Sequence, residues 1–291
     1  MPVHQLSDLA TRNPAPRPWV DIKPNLPWGD PEFSKRMLRE HLDASHDLAS
    51  RRPLVLNSQI AWVIGSILKP RNARTILDLT CGPGLWANGL AGQGYIVRGI
   101  DIAPAAIDYA RKTAGDEHLP TTFLQADIRE AAYGSGYDAA LFGYGEANTL
   151  KWEEFSEVLL RVREALNPGG VLMLELIHPD AMERMAGTKW QTKGGGLFGD
   201  SPYLWLTESF WNPDECTGCM RHYVIDLDTA RVREYGVSYQ CYRRDDIRSF
   251  LAACGFDTVA EYDSMTGAVG LDDPEWHVIA AERRKTEADA I

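Results

Sequence analysis

The 291-residue chain carries 41 acidic and 30 basic residues, which gives a formal net charge of −11 at pH 7. This charge would repel a nucleic-acid backbone, so we expect no nucleic acid as a partner. No apolar run approaches the roughly 18 residues of a membrane span, so we expect no membrane as a partner. The first residues lack the apolar centre of a secretory signal, and five cysteines, an odd number, favour reduced thiols; both indicate a cytoplasmic protein.

Residues 1–70 are predicted to form an N-terminal arm followed by two cap helices. Six prolines and two tryptophans between residues 13 and 31 predict an extended arm. Asp30 and Pro31 are residue types that favour a helix N-cap and first turn. A second helix is expected from Leu54 to Leu68, ending at Pro70.

From residue 74 onward, short β-like runs alternate with helical ones. The β runs are "TILDLT", "YIVRGID", "TTFLQAD", "YDAALFGY" and "VLMLEL", and after an interruption "DTVAEYD" and "EWHVIAAER". Strands that alternate with helices predict an α/β fold built on a doubly wound, mostly parallel sheet, here with seven strands.

The alternation is interrupted by an aromatic-rich insertion at residues 178–242. Three β-like stretches, "YLWLTESFW", "MRHYVIDLD" and "RVREYGVSYQCY", predict an antiparallel hairpin or small sheet. Its aromatic side chains fit two interpretations that both stay open. They form the inner face of the sheet or a homodimer contact, or they form a lid over an acceptor pocket and attract a cationic acceptor.

A glycine turn follows the first strand of the alternating region. Gly82, Gly84 and Ala87 have the spacing G-x-G-x-x-A, which brings backbone amides close to a ligand but is also found in dinucleotide enzymes and in plain tight turns. Asp78 precedes the turn. Its carboxylate would repel a pyrophosphate and attract an ammonium group.

Two further acids end the next two strands. Asp101 lies where a carboxylate can accept both hydroxyls of a ribose, and Asp127 lies where it can meet an adenine amino group. Each acid alone is equally consistent with a solvated loop or a helix cap. Together with Asp78, they favour a nucleoside that carries an ammonium group and no phosphate.

Residues 74–176 resemble the core of class I S-adenosylmethionine-dependent methyltransferases. "LDLTCGPG" is similar to their first motif, "GID" to the end of the second strand, "AD" to the adenine loop and "LNPGGVLMLE" to the approach to the fifth strand. The N-terminal 70 residues and the insertion resemble segments of a bacterial small-molecule subgroup. The resemblance implies a Rossmann-like core over residues 71–291, S-adenosylmethionine as cofactor and a small molecule as substrate.

The resemblance also implies a cofactor site. Gly82 and Gly84 would pass beneath the methionine part, Asp78 would hold its amino group and Asp101 the ribose. The full set consists of residues at the ends of the first four strands: Asp78, Thr80, Gly82, Gly84, Leu85, Trp86, Asp101, Ile102, Asp127, Ile128 and Gly143.

Acceptor chemistry is expected after the fourth and fifth strands. The segment "ALFGYGEANTL" lacks the Asn/Asp-Pro-Pro-aromatic motif of enzymes that methylate nucleic-acid bases, and Glu146 and Asn148 would face the methyl group or cap the following helix. His178 would take a proton from the acceptor, or bond to backbone at a strand end, and Glu175 would orient it or hold a cation.

No metal is expected. Cys216 and Cys219 have half of a zinc-site spacing with His222 nearby, but a turn between strands explains them. The predicted function is methyl transfer to nitrogen, oxygen or thioether sulfur of a small molecule. A nicotinamide-dependent oxidoreductase would leave Asp78 and Asp127 without roles, and a non-catalytic S-adenosylmethionine-binding protein is the third alternative.

Overall fold

The computed structural model describes residues 3–22 and 26–285, so residues 23–25 of the predicted arm lie outside it. The N-terminal segment contains strand β1 (Val3–His4), a 3-10 helix (Leu6–Thr11), and helices α1 (Pro31–Leu42) and α2 (Pro53–Trp62), the latter continuing through a π turn (Val63–Leu68). The predicted N-cap is confirmed, because the backbone amide of Phe33 donates to Asp30 Oδ1 at 2.8 Å.

The central part alternates strands and helices as predicted. It consists of β2 (Thr75–Leu79), α3 (Leu85–Ala91), β3 (Ile96–Asp101), α4 (Pro104–Asp116), β4 (Thr121–Gln125), β5 (Tyr137–Phe142), a 3-10 helix (Glu146–Thr149), α5 (Trp152–Ala165) and β6 (Leu166–Ile177). β6 includes residues 167–170, which we predicted as a turn. They form an irregular part of the strand, where Gly169 has φ of +78° and the pairing of β5 with β6 shifts register between Tyr137 and Ala139.

The insertion holds one short helix and four strands. They are α6 (Pro179–Met185), β7 (Gly187–Lys193), β8 (Tyr203–Asn212), β9 (Thr217–Asp226) and β10 (Val232–Gln240). The three predicted stretches correspond to β8, β9 and β10. β7 was not predicted because its seven exposed residues show no apolar alternation. The chain then continues with α7 (Arg244–Ala253), β11 (Phe256–Tyr262) and β12 (Trp276–Arg283).

The large sheet has seven strands in the order β11-β12-β6-β5-β2-β3-β4. The strands from β6 to β4 pair in parallel, and β12 is antiparallel to both neighbours, so the predicted doubly wound, mostly parallel fold is confirmed. Apolar clusters cover both faces of this sheet. The carboxyl ends of β2, β3, β5 and β6 therefore meet at one edge, where ligands of such sheets bind.

The second sheet is antiparallel, in the order β1-β10-β9-β8-β7. It includes a strand of the N-terminal segment, since β1 pairs with β10, which the sequence did not predict. Arg12 reinforces this connection by donating from Nε to Glu208 Oε1 at 2.9 Å, while Arg221 occupies the other carboxylate oxygen. The insertion and the N-terminal segment therefore share one framework.

An aromatic cluster packs α1 against the second sheet. Phe33 contacts Phe198 and Tyr235, with ring centroids 6.3 and 6.1 Å apart. In the described part of the chain, no helix combines the length and apolar character needed to cross a bilayer.

Candidate active site

A cavity of about 1730 Å³ lies at the carboxyl ends of the parallel strands. Its floor is formed by the turns after β2, β3, β5 and β6. The N-terminal segment and the second sheet supply the other walls, so all three parts of the chain contribute side chains to one space. A cavity of this size at the switch edge of a doubly wound sheet is the expected position of a ligand site.

The glycine turn has a left-handed backbone, which its two glycines favour. Gly82 and Gly84 have φ of +53° and +73°, and Thr80, at +54°, shares this conformation. A Cβ on Gly84 would lie 2.8 Å from the Cβ of Ala110, so this glycine lets α3 approach α4 closely. Gly82 and Thr80 line the cavity, and the place of Gly84 beneath the ligand stays a prediction.

Asp78 and Asp101 face each other across this turn. Asp78 is only 5% exposed, and its Oδ2 has no hydrogen-bond partner among the described residues. Burial, followed by the charge of Asp101, raises the pKa of Asp78 to about 8. Asp101 accepts the backbone amides of Gly82 at 2.7 Å and Ala103 at 2.8 Å. Burial raises its pKa as well, although both amides oppose that shift.

These two acids fit S-adenosylmethionine. An unpaired buried carboxylate is costly, and an ammonium group would supply the missing donor for Asp78. Each carboxylate oxygen of Asp101 accepts one amide and keeps a second lone pair, which a ribose hydroxyl can use. The residues present therefore match the donor groups of the cofactor that the sequence predicted.

The remaining predicted cofactor residues also line the cavity. Ile102 is 39% exposed, as expected for a side chain that covers a ligand face. Asp127 is engaged by Arg129, whose Nη2 lies 2.6 Å from Oδ2, and this contact lowers the pKa of Asp127. An adenine amino group would have to share that carboxylate with Arg129. The others at the cavity wall are Leu85, Trp86, Ile128 and Gly143.

His41 of α1 was missed by the sequence analysis. A Cβ on Gly82 would lie 3.5 Å from its ring, so the imidazole covers the glycine turn directly. Its Nδ1 lies 2.8 Å from Ser50 Oγ, and desolvation lowers its pKa to about 4. A neutral ring at this position places no second positive charge next to a sulfonium cofactor.

Glu175 holds the N-terminal segment to the strand ends. It accepts Arg51 Nη2 at 2.8 Å on one oxygen and the backbone amide of Tyr144 at 2.7 Å on the other. The Arg51 guanidinium lies between the rings of Tyr144 and Trp276, 4.5 and 4.4 Å from their centroids. Glu175 lines the cavity as predicted, but both of its oxygens already have donors.

Glu146 lies at the start of the short 3-10 helix after β5 and lines the cavity. Its carboxylate accepts no hydrogen bond from any residue in the described ranges. Desolvation, with a smaller contribution from Asp101, raises its pKa to about 7. Glu146 is therefore able to accept a proton near neutral pH.

Two predicted acceptor residues lie outside the cavity wall. Asn148 is fully buried, donates to the carbonyl of Gln240 at 2.8 Å and accepts the amide of Ile177 at 2.9 Å, so it joins β6 to β10. His178 is the N-cap of α6, and its Nδ1 accepts the amide of Asp180 at 3.2 Å. This bond agrees with the alternative of a strand-end histidine bonded to backbone, and the role of His178 as proton acceptor stays a prediction.

One face of the second sheet forms the wall opposite the strand ends. Because side chains alternate along strands, every second residue of β7, β8, β9 and β10 faces the cavity. This face includes Gln191, Trp205, Thr207, His222, Val237 and Tyr239. The lid interpretation of the insertion agrees with this arrangement, while the homodimer contact stays a prediction.

The cysteines form no metal site in the structure. All five are free and buried, and Cys216 and Cys219 donate to backbone carbonyls of Pro213 and Pro16. Within residues 3–22 and 26–285, no group of three His, Cys, Asp or Glu side chains is arranged to hold a metal ion.

The strand order and the glycine turn are those of a Rossmann-like fold, which solved methyltransferase structures share. Residues 76–170 match the family model described as a methyltransferase domain. This segment is therefore similar to methyltransferase domains, in agreement with the resemblance seen in the sequence.

Comparison with known proteins agrees with this assignment. The cypemycin N-terminal methyltransferase of a Streptomyces species is 29% identical over 129 residues, which are 44% of this chain and 51% of that protein. A putative methyltransferase of Bacillus subtilis is 32% identical over 117 residues, 40% of this chain and 46% of that protein. This chain thus spans about half the length of these curated relatives.

A solved structure shows the same fold over a larger share of the chain. A sugar N-methyltransferase, KedS8, from a Streptoalloteichus species has a TM-score of 0.58 and 21% identity, and the match covers 79% of this chain and 88% of that one. At this level of identity the likeness concerns the fold. These comparisons do not favour a nicotinamide-dependent oxidoreductase.

Proposed function

We propose that this protein transfers the methyl group of S-adenosylmethionine to an amine nitrogen of a small-molecule acceptor. The observation that carries the proposal is a pair of carboxylates in one cavity, Asp78 and Glu146. Asp78 has a buried unpartnered oxygen, and Glu146 accepts no hydrogen bond from the described residues. Asp78 accounts for the cofactor ammonium, which leaves Glu146 for a second cation.

Bound S-adenosylmethionine supplies a methyl group activated by a sulfonium. The protein's own residues then hold the partners and manage one proton. Asp78 and Asp101 orient the cofactor, and Glu146 binds the acceptor ammonium. A protonated amine has no free lone pair, so Glu146 takes the proton before the nitrogen attacks, and alignment of the two partners supplies much of the rate.

Two further observations support nitrogen as the acceptor atom. KedS8 is described as a sugar N-methyltransferase, and the Streptomyces relative acts, by its name, on an N-terminus. The cavity-facing ring of Tyr239 is a surface that attracts a cationic amine. The net charge of −11 supports a small molecule over a nucleic acid, and five free cysteines support a cytoplasmic location.

The test is a set of acceptors that share one carbon frame and differ only in the reacting group. An alkylamine, the matching alcohol and the matching thioether are each incubated with protein and S-adenosylmethionine, and products are identified by mass spectrometry. Only the amine is expected to be methylated. Methylation of the alcohol or the thioether alone would contradict the proposal, and no methylation of any acceptor favours a binding protein.

Glu146→Gln is the matched variant for this assay. It should lower kcat on the amine by about 10²- to 10⁴-fold, the usual contribution of a positioned base. Affinity for S-adenosylhomocysteine, measured by calorimetry, should be unchanged. Glu153→Gln, which alters an exposed carboxylate on α5, is the control and should retain full turnover.

A further inference from the structure

His222 occupies a central position on the cavity-facing wall. It lies on β9, the middle strand of the five-stranded sheet, and pairs directly with Thr207 of β8. None of the mechanistic roles described above uses this side chain. It is a polar group beside the aromatic rings of Phe198 and Trp205.

The hydrogen bonds of His222 define which ring nitrogen carries the proton. Trp205 Nε1, which can only donate, lies 3.2 Å from His222 Nδ1, and Thr207 Oγ1 lies 3.0 Å from the same atom. Nδ1 must therefore be the accepting nitrogen. Burial lowers the pKa of His222 to about 4, so the ring is neutral and its proton is on Nε2.

The Nε2–H group is a donor for which the described residues supply no acceptor. None of the residues the structure describes accepts a hydrogen bond from it, and His222 lines the cavity. Aromatic rings flank it: the Phe198 centroid is 6.0 Å and the Trp205 centroid 5.6 Å from the imidazole. A donor held in one orientation among apolar rings selects an oxygen atom and disfavours an ammonium group.

We propose that His222 is a specificity residue, which donates from Nε2 to an oxygen atom of the acceptor. The substrates would accordingly be amines that also carry a hydroxyl, ether or carbonyl oxygen. Glu146 recognises the cationic end of such a molecule, and His222 recognises its oxygen. This inference rests on the proposed function and narrows its substrate class.

The test compares linear amino alcohols, from ethanolamine to 6-aminohexanol, with the matching alkylamines. In the wild type, kcat/KM at the best chain length should favour the amino alcohol by about 2- to 12-fold, the range for one neutral hydrogen bond. His222→Phe should remove this preference, and His222→Gln, which keeps a donor, should retain part of it. Unchanged affinity of both variants for S-adenosylhomocysteine confirms that they fold.

The outcomes separate this inference from the proposed function. Amines methylated equally with and without the hydroxyl, or a preference that survives in His222→Phe, would overturn the role of His222 alone. Alcohols or thioethers methylated in place of amines would overturn the proposed function. If no panel member turns over, the same panel is titrated into the S-adenosylhomocysteine complex by ligand-observed NMR, where equal binding of the two series also overturns the inference.

Trp205 is a positioning residue in this proposal, so its test needs a readout specific to the imidazole. In ¹⁵N NMR of the histidine side chains, the wild type should show His222 as a single Nε2–H tautomer. Trp205→Phe combined with Thr207→Val should produce a mixture of tautomers and weaken the preference for amino alcohols. A single unchanged tautomer in that variant would contradict the orientation argument.

Discussion

Removing the charge of Asp78 should stabilise the ligand-free protein while impairing its ability to bind cofactor. Burial and Asp101 raise the pKa of Asp78 from 3.8 to about 8. An acid with a raised folded-state pKa costs the folded state free energy at every pH where the unfolded chain would be ionised. Asp78 therefore makes the wild type less stable as pH rises from about 4 to about 8, and Asp78→Asn removes that contribution.

The magnitude follows from the size of the shift. Each pKa unit corresponds to about 1.4 kcal/mol. The free energy of unfolding that Asp78→Asn gains over the wild type therefore grows by up to this amount per pH unit, and it reaches about 4 kcal/mol at pH 7. Bound cofactor reverses the preference for an uncharged side chain at position 78, because its ammonium group stabilises the ionised carboxylate. Loss of a charged hydrogen bond should weaken S-adenosylhomocysteine binding by about 1.5 to 3 kcal/mol.

Urea denaturation at pH 5 and pH 8, followed by calorimetric titration with S-adenosylhomocysteine, measures both effects. Asp108→Asn is the matched control, since this carboxylate on α4 is 77% exposed, and it should change neither quantity appreciably. The reasoning would be refuted if Asp78→Asn were less stable than the wild type at pH 8. A pH-independent difference, or unchanged cofactor affinity, would refute it equally.

Three further variants test other parts of the site. Arg51→Ala leaves the buried carboxylate of Glu175 without its cation. The free energy of unfolding, measured by urea denaturation, should fall by about 3 kcal/mol. A loss below about 1 kcal/mol would contradict the role assigned to this pair. Gly84→Ala introduces a Cβ at φ +73° and 2.8 Å from the Cβ of Ala110 in α4. The free energy of unfolding should therefore fall by about 1 to 3 kcal/mol. An unchanged midpoint of urea denaturation would contradict the packing argument. His178→Ala removes a helix cap outside the cavity. Turnover should be unchanged, and the free energy of unfolding should fall by less than about 1 kcal/mol. A large loss of turnover would support His178 as the catalytic base.

Much of the fold could be predicted from local sequence patterns. Strand and helix periods alternate regularly between Thr75 and Ile177, and each element can be recognised within its own ten or fifteen residues. β1 and β7 were missed for physical reasons. β1 has two residues and forms only because β10 offers an edge, and Trp190 is the one large apolar residue of β7, so neither strand has a hydrophobic alternation.

The site residues also differ in whether local sequence patterns could predict them. Asp78 and Asp101 could be predicted because parallel strands bring their carboxyl ends to one edge, wherever the rest of the chain lies. His41, Arg51 and His222 reach the cavity through the packing of segments remote in sequence, and nothing near them in the chain signals that contact.

The predictions for Asn148 and His178 depended on position near a strand end, which does not determine the direction of a side chain. Pro179 starts a helix immediately after β6, and His178 is consequently used as its N-cap. Asn148 falls within a 3-10 turn that directs its amide towards β10. Both residues order the framework around the site.

The packing of α1 on the second sheet has a consequence for how the protein folds. Arg36 Nε donates to the carbonyl of Leu197 at 2.9 Å across 161 positions of the chain, beside the Phe33 and Phe198 rings. Contacts between such distant positions are gained only after the entropy of closing a very long loop has been lost. The β-α units between them need no such closure and can assemble first. The cofactor floor should therefore form early during folding, and the acceptor wall should be the last part of the cavity to become ordered.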